Sequence, residues 1–280
     1  MIAHDVVFDR FARCEVTADG EHIYDFLGVS TAVRFKKSWV KFAPPAGSKL
    51  TPNYPVVNEH YLDWVALLEC VLRADDVFRI VELGAGWGTW SSSGLAACRQ
   101  MPHIKKTEVV AIEADSVHYQ WMREHFAKNN MIHNGVHLVH GAVGVDSGLV
   151  EFPVIENPDE DYGGSLRQAD TSRETVTVKQ FSLGELFNKL TGVIDFLHVD
   201  IQGEEYNILP ESMGLLKTRV KSVLVGTHIS SDHHKSIARL FENDGWQIRM
   251  DYERGQLCNT PYGEIQLGDG VIVANNPELC

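Results

Sequence analysis

The sequence predicts an α/β fold with a mostly parallel central sheet and helices on both of its faces. From Phe78 onward, short apolar runs alternate with segments of helical periodicity. That alternation is typical of parallel strands joined by helical crossovers. Two later apolar runs, Trp246–Tyr252 and Gly270–Ala274, predict a C-terminal antiparallel strand pair in the same sheet.

The elements of this core are predicted in chain order. The parallel strands are expected at Arg79–Leu83, Glu108–Glu113, Val136–His140, Ile194–Asp200 and Lys221–His228. The helices are expected at Asn58–Ala74, Trp90–Arg99, Val117–Asn129, Leu183–Leu190, Glu204–Leu209 and His233–Asp244. Between the third and fourth strands, Leu149–Ile155 and Thr175–Phe181 have strand composition and flank a polar loop, which predicts an inserted β-hairpin.

The region before the first predicted helix carries weaker patterns. Short β-like runs occur at Asp5–Phe8, His22–Phe26 and Thr31–Phe35, and a Pro- and Gly-containing connection follows them. We therefore expect residues 1–57 to form a small N-terminal appendage or lid. Residues 58–280 are expected to form the main, cofactor-binding domain.

Composition narrows the classes of partner. The 280 residues carry a formal net charge of −13, which disfavours a nucleic-acid partner and favours a small molecule or sugar. No apolar run approaches the roughly 20 residues that span a bilayer, and the first residues lack a signal-peptide pattern. A cytoplasmic protein without a membrane partner is expected, and its oligomeric state stays open.

A glycine-rich loop follows the first predicted strand. It reads Gly84-Ala85-Gly86-Trp87-Gly88, two residues after Glu82. Glycines let the chain turn sharply and let a ligand lie against backbone N–H groups at the start of a helix. A carboxylate at Glu82 would repel a pyrophosphate but can pair with the amino group of a methionine moiety. The loop therefore favours S-adenosylmethionine over NAD.

The ends of the next two strands complete the expected cofactor site. Glu113, followed by Ala114, can accept both ribose hydroxyls of an adenosine. The small residue Ala142 lets an adenine approach the backbone. The full set expected to bind the cofactor is Glu82, Gly84, Ala85, Gly86, Gly88, Glu113, Ala114, Ala142 and Asp200.

The fourth and fifth strands end in chemically useful side chains, Asp200 and His228. Ligands of open α/β sheets bind outside the carboxyl ends of the strands, so both are candidate catalytic residues. His228 is the first choice of general base, because an unperturbed imidazole titrates near pH ~6.5. Alternatively, the two could share a divalent metal, although no further ligand pattern completes the set. Candidate acceptor contacts are Gln202, Glu205, Tyr162 and Ser165.

With these residues in place, the chain resembles the FkbM-type methyltransferase family. The likeness rests on Val81–Thr89, on Ala142-Val143-Gly144, on Ile194–Glu205 and on Thr227-His228. It implies a Rossmann-like class I methyltransferase fold and transfer of a methyl group from S-adenosylmethionine to a hydroxyl oxygen of a sugar, glycan or secondary metabolite. The chain departs from the family pattern at His198, where members often carry Lys, and at Gln202, where many carry Glu.

Two other functions remain open at this stage. A nucleotide-cofactor oxidoreductase or epimerase would use a similar glycine loop, but no Tyr-x-x-x-Lys pair follows the fourth strand. A catalytically silent S-adenosylmethionine-binding protein would keep the loop without the chemistry. Cofactor binding and turnover distinguish these hypotheses.

Overall fold

A computed structural model describes residues 6–166 and 174–280. Its helices are α1 (Tyr61–Arg73), α2 (Thr89–Cys98), α3 (Ser116–Lys128), α4 (Leu183–Phe187), α5 (Glu205–Arg219) and α6 (Ser231–Asn243). The strands are β1 (Val16–Thr17), β2 (His22–Tyr24), β3 (Ser30–Ala32), β4 (Lys49–Leu50), β5 (Val77–Leu83), β6 (Lys106–Glu113), β7 (Val136–His140), β8 (Ala142–Val143), β9 (Gly148–Pro153), β10 (Thr175–Phe181), β11 (Ile194–Val199), β12 (Val220–Thr227), β13 (Gln247–Tyr252), β14 (Leu257–Thr260), β15 (Gly263–Gln266) and β16 (Gly270–Asn275). Short 3-10 helices cover Phe8–Arg10, Val33–Phe35 and Lys37–Phe42.

The central sheet has seven strands in the order β13-β16-β12-β11-β5-β6-β7. The five strands from β12 to β7 pair in parallel, whereas β16 pairs antiparallel with both β12 and β13. The predicted α/β class and the C-terminal antiparallel pair are thus confirmed. Successive parallel strands are added on one side of β5 as far as β7 and then on its other side from β11. The boundary between β5 and β11 is therefore the switch point of the sheet, where ligands of such folds bind.

Apolar side chains cover both faces of the sheet. On one face, α1, α2 and α3 pack over residues such as Phe78, Ile80 and Phe196. On the other face, α4, α5 and α6 pack over residues such as Leu197 and Val223. Adjacent residues of β11 therefore face opposite layers, as the period-two geometry of a strand requires.

Helix α5 is longer than expected. The sequence-based boundary at Leu209 lies just before Pro210, which lacks the N–H that a helix interior uses. That boundary is wrong, because α5 continues through Pro210 to Arg219. Met213 and Leu216 are buried against the sheet, and this packing outweighs the local preference.

The inserted hairpin forms as β9 and β10 and recruits a third strand. β10 pairs antiparallel with β9 and parallel with β8, which makes a small separate sheet. The loop after β9, described from residue 154 to 166, reaches the glycine loop, where Tyr162 packs on Trp87.

The N-terminal region is folded onto the main core. The β-like run at Asp5–Phe8 was wrongly read as a strand, since Phe8 begins a 3-10 helix and is buried among aromatic rings. The run at Thr31–Phe35 is divided between β3 and a second 3-10 helix. Phe8 and Phe26 contact Tyr61 and Trp64 of α1 with ring centroids 5.2 and 5.3 Å apart. Whether residues 1–57 act as a lid stays a prediction.

In residues 6–166 and 174–280, the structure contains no helix long and apolar enough to cross a membrane.

Candidate functional site

A cavity of about 330 Å³ lies at the carboxyl ends of the parallel strands. Its volume is in the range of small-molecule sites. Ten of the residues that the sequence singled out line it: Glu82, Gly84, Ala85, Gly86, Glu113, Ala114, Ala142, Tyr162, Asp200 and Gln202. The tertiary structure thus brings residues from the ends of β5, β6, β7 and β11 and from the insertion together around one cavity.

The glycine loop follows β5 and requires its glycines for two separate reasons. Gly84 and Gly86 have φ values of +72° and +55°, which only glycine adopts without strain. A Cβ atom on Gly84 would also stand 1.8 Å from the carbonyl oxygen of Asp200. The backbone of the glycine loop therefore packs directly on the turn after β11, and any side chain at Gly84 would push the two apart.

Gly88 does not line the cavity. It precedes α2 with φ +77°, and a Cβ atom there would lie 2.5 Å from the ring of Phe126. Its role in this structure is close packing of α2 on α3.

Glu82 is buried at the end of β5 beneath the first turn of α2. Its two carboxylate oxygens accept backbone hydrogen bonds from Trp90 (3.1 Å) and Ser91 (2.8 Å), which satisfies N–H groups that a helix start leaves free. Burial raises the pKa of Glu82, while the charge of His198 opposes that rise. Glu82 lines the cavity, and it also fixes the helix that begins there.

Glu113 joins the glycine loop to the turn after β6. Its oxygens accept hydrogen bonds from the backbone N–H groups of Gly86 (2.8 Å) and Asp115 (2.7 Å). Burial raises its pKa to about 7 despite these donors. Asp115 in turn caps α3 by accepting from Val117 and His118. The position of Glu113 in the cavity is therefore set by backbone contacts on both sides.

Asp200 follows β11 and is partly exposed to the cavity. Its Oδ1 lies 3.0 Å from His228 Nε2 and accepts a 2.9 Å hydrogen bond from Gln202 Nε2. Within the described part of the chain, Oδ2 accepts no hydrogen bond. Burial raises the pKa of Asp200, but the bond to His228 and its positive charge lower that pKa to about 2. Asp200 is thus a fixed carboxylate with one oxygen left open.

His228 is held between two carboxylates. Its Nδ1 lies 3.0 Å from Glu205 Oε1, opposite the contact of Nε2 with Asp200. A carboxylate only accepts hydrogen bonds, so both ring nitrogens donate. Burial lowers the pKa of His228, but the bonds to Asp200 and Glu205 raise it to about 10. The imidazole is therefore protonated near neutral pH.

The predicted acceptor contacts take different positions. Tyr162 and Gln202 line the cavity, but Ser165 and Glu205 do not. Ser165 donates a 2.6 Å hydrogen bond to the carbonyl of Gln202, and Glu205 accepts a 2.8 Å bond from the N–H of Gly203. Both residues therefore support the turn after β11. Arg167, a further residue of this loop, lies outside the described residues.

Sequence reasoning missed the aromatic walls of the cavity. Trp64 is buried in the core and also lines the cavity beside Trp90, with ring centroids 5.6 Å apart. On the opposite side, Trp87 contacts Trp39 and Tyr162 at 5.3 and 5.0 Å. The tryptophans come from three separated segments, so no local pattern indicates that they share a site.

Two covering segments meet over this side of the cavity. One is the 3-10 segment Val33–Phe42, which contributes Lys36 and Trp39 to the lining, and the other is the loop after β9, which contributes Tyr162. The Tyr162 hydroxyl donates to the carbonyl of Phe35, and Lys37 forms a 2.9 Å ion pair with Glu160. The N-terminal region thereby takes part in the site.

Among the described residues, no third side chain completes a metal site with Asp200 and His228. The described residues contain no group of three or more His, Cys, Asp or Glu side chains that could hold a metal ion. Asp200 and His228 contact each other directly, so a shared ion would have to displace that contact. Metal dependence stays a hypothesis.

Comparison with known proteins gives a family-level match. The sequence profile described as methyltransferase FkbM domain matches residues 95–246, from α2 to the start of β13. A protein of Jannaschia sp. (strain CCS1), provisionally described as a methyltransferase, is 28% identical over 284 residues. That alignment covers 96% of this chain and 98% of the relative.

Solved structures show more distant likeness. Methyltransferase FkbM from Methylobacillus flagellatus KT is 16% identical with a TM-score of 0.47, over 72% of this chain and 44% of that one. The N-terminal domain of human METTL16 in complex with SAH is 13% identical with a TM-score of 0.43, over 80% of this chain and 72% of that one.

Proposed function

Because this chain belongs to the methyltransferase FkbM domain family, we propose that it transfers a methyl group from S-adenosylmethionine to a hydroxyl oxygen of a sugar, glycan or secondary metabolite. The observation that carries the proposal is that the glycine loop, Glu113 and Asp200 line the same cavity. It combines features for a nucleoside ligand with an open carboxylate oxygen at one end.

The residues present fit S-adenosylmethionine. Glycine-loop residues give the ligand access to the backbone, and a Cβ atom at Gly86 would meet only Tyr162, at 3.9 Å. Glu113 carries lone pairs beyond its two backbone bonds and can accept ribose hydroxyls. Ala114 and Ala142 leave room beside the backbone for an adenine, and the acidic Glu82 suits a cationic amino group. When bound, S-adenosylmethionine supplies an electrophilic methyl group on a positively charged sulfur.

Asp200 is the proposed proton acceptor. Its open Oδ2 can accept the hydrogen bond of an acceptor hydroxyl and orient that oxygen. A carboxylate with a pKa of about 2 is a weak base. It suffices here because the hydroxyl proton becomes strongly acidic as the new oxygen–carbon bond forms. Asp200 therefore receives the proton late in the reaction.

His228 takes a different role from the neutral base suggested by its sequence position. With its pKa raised to about 10, it is protonated at neutral pH and cannot accept a proton there. The imidazolium instead donates a hydrogen bond to Oδ1 of Asp200. The other oxygen, Oδ2, stays available for the acceptor hydroxyl. We therefore treat His228 as a positioning residue for Asp200.

The aromatic residues that line the cavity support this class of acceptor. Trp rings bury large apolar areas, and such faces suit the C–H groups of a sugar ring as well as an apolar metabolite. The net charge of −13 argues against a polyanionic nucleic acid. We further propose that the protein works in the cytoplasm without a membrane partner.

The test has a binding arm and a transfer arm. Calorimetry is expected to show that S-adenosylmethionine binds and NAD does not; the reverse result contradicts the proposal and supports the oxidoreductase or epimerase alternative. With labelled S-adenosylmethionine and a panel of hydroxylated sugars and metabolites, Asp200→Asn is expected to lower transfer roughly 100-fold and to leave cofactor affinity near normal.

The control variant is Asp232→Asn, an exposed carboxylate in the first turn of α6. It is expected to transfer at the wild-type rate. Binding of S-adenosylmethionine without transfer to any member of the panel, and without an effect of Asp200→Asn on slow cofactor turnover, favours the catalytically silent alternative.

A further inference from the structure

His198 carries a buried polar atom that the described residues leave unsatisfied. The residue lies on β11, lines the cavity and is 3% exposed. Its Nε2 is 3.0 Å from Asp63 Oδ1 of α1, but its Nδ1 has no hydrogen-bond partner in the part of the chain that the structure describes. Buried side-chain nitrogens are seldom left unpaired, so this one calls for an explanation.

The surroundings of His198 determine what Nδ1 can offer. Asp63 accepts from Nε2, which fixes the orientation of the ring, and Trp90 packs beside it at 5.6 Å between centroids. Glu82 is its register partner on β5 and points to the same face of the sheet. Burial lowers the pKa of His198, but Asp63, Glu82 and Asp200 together raise it above its ordinary value. Asp63 accepts from Nε2, and the carboxylates around the ring favour its protonated form, in which Nδ1 is a hydrogen-bond donor.

We propose that Nδ1 of His198 binds the carboxylate of the amino-acid moiety of S-adenosylmethionine. This inference rests on the proposed function and extends it, because it identifies the residue that recognises the charged end of the cofactor. The Asp63–His198 pair supplies the donor for the carboxylate. Glu82, directly beside it, supplies the negative charge for the amino group.

The location supports the cofactor's carboxylate as the ligand group. Glu82 and His198 are neighbours in the sheet at the base of the glycine loop, whereas Glu113 lies on the far side of β5 from β11. A nucleoside held at Glu113 thus extends its amino-acid end toward His198. Another basic residue of the cavity, His60, is exposed and lies beside Glu59, so it lacks a comparable buried and oriented nitrogen.

The experiment compares three ligands in wild type and in His198→Gln. S-Adenosylhomocysteine has the complete amino-acid end, decarboxylated S-adenosylmethionine keeps only the amine, and 5′-methylthioadenosine has neither group. In His198→Gln, affinity for S-adenosylhomocysteine is expected to fall roughly 10- to 100-fold, the effect of losing a hydrogen bond to a charged group. Affinity for the other two ligands is expected to change less than about threefold. His198→Lys, which keeps a cationic donor, is expected to restore most of the lost affinity.

The matched control is His234→Gln. His234 is also buried and its Nε2 is also on a carboxylate, Asp251 at 2.7 Å, but its Nδ1 is already bonded to Thr227. This control is expected to keep wild-type affinity for all three ligands, and thermal denaturation verifies that each variant is folded. If His198→Gln does not fold, Asp63→Asn, which loosens the ring without removing it, provides the same comparison.

The outcomes separate the inference from the proposed function. Failure of wild type to bind S-adenosylhomocysteine overturns the proposed function and with it the inference. Normal binding of S-adenosylhomocysteine by wild type, with no selective loss in His198→Gln, overturns the inference alone. Equal weakening of S-adenosylhomocysteine and the decarboxylated ligand assigns His198 to the amine and likewise overturns it.

Discussion

At the scale of single residues, two carboxylates that flank one turn stabilise the positive charge of His228. Asp200 precedes the turn and Glu205 follows it, and each contacts a different ring nitrogen at 3.0 Å. Gln202 and Gly203, between them, have positive φ values of 52° and 110°. The segment Asp-x-Gln-Gly-x-Glu is thus a tight turn built to hold one imidazolium, which in turn orients the proposed proton acceptor.

This arrangement predicts a pH-dependent contribution of His228 to stability. We expect His228→Gln to lower the free energy of unfolding at pH 7 by about 3 kcal/mol, because it leaves the buried Glu205 carboxylate without its partner. The folded-state pKa of about 10 lies above the unfolded value. The contribution is therefore complete below the unfolded pKa of about 6.5 and is lost as the pH rises through about 10.

Urea denaturation of wild type and variant across this pH range measures the effect. His133→Gln, at an exposed histidine shortly before β7, is the control and is expected to show a small, nearly constant difference. A wild-type-to-His228→Gln difference that does not shrink between neutral pH and pH about 10 would contradict the assignment of His228 as an imidazolium in the folded protein.

At the scale of elements, the site is formed where two turns touch. The glycine loop after β5 and the turn after β11 are in contact at Gly84 and Asp200, and both precede helices, α2 and α5. Glu82 accepts hydrogen bonds at the start of α2, and Glu205 lies in the first turn of α5. The helices are thereby fixed at the ends that face the cavity, so their packing determines the shape of the site.

Helix α5 allows a direct test of how element stability is distributed. Gly214 is an exposed residue inside this helix, and a Cβ atom there would meet no atom within 4 Å. We expect Gly214→Ala to raise the free energy of unfolding by about 1 kcal/mol, since glycine has the more flexible unfolded chain and a poor helix propensity. Chemical denaturation measures the change, and methyl transfer should stay at the wild-type rate.

Gly88→Ala is the opposite case among the glycines. Its φ of +77° and the Phe126 ring at 2.5 Å from the added Cβ predict destabilisation. A destabilising effect of Gly214→Ala as well would contradict the placement of Gly214 at an exposed position inside a regular helix.

At the scale of the whole molecule, the N-terminal region completes both the core and the cavity. Phe8, Phe11 and Phe26 are buried in the same apolar cluster as α1. Lys36 and Trp39 reach the cavity from the same region. The protein therefore relies on residues before position 58 for packing as well as for the cover of its site.

Removal of this region is predicted to unfold or aggregate the remainder. A chain of residues 58–280 would expose Tyr61 and Trp64, which now pack against Phe8 and Phe26, and large apolar patches promote association. The full chain with Phe42→Ser is the control, because Phe42 is 59% exposed and its loss should change the denaturation midpoint little. A truncated protein that unfolds cooperatively at the wild-type midpoint would show instead that residues 1–57 are a separable appendage.

The sequence by itself determined the order of the strands and helices of the central sheet, its antiparallel C-terminal pair and the glycine loop. These depend on local patterns: alternation of apolar runs, glycines that permit positive φ, and acids at strand ends. It did not determine the extent of α5, because burial of Met213 and Leu216 outweighs the local effect of Pro210.

Only the tertiary structure decided the charge of His228, the aromatic walls and the unpaired nitrogen of His198. Each depends on groups far apart in sequence: Asp63 lies 135 residues before the histidine that it orients. The pKa of an imidazole depends on the charges within a few ångströms of it and on its burial. Such distances arise only when the strands are assembled, and for that reason local sequence patterns indicated part of the cavity lining but neither its aromatic residues nor the protonation of its histidines.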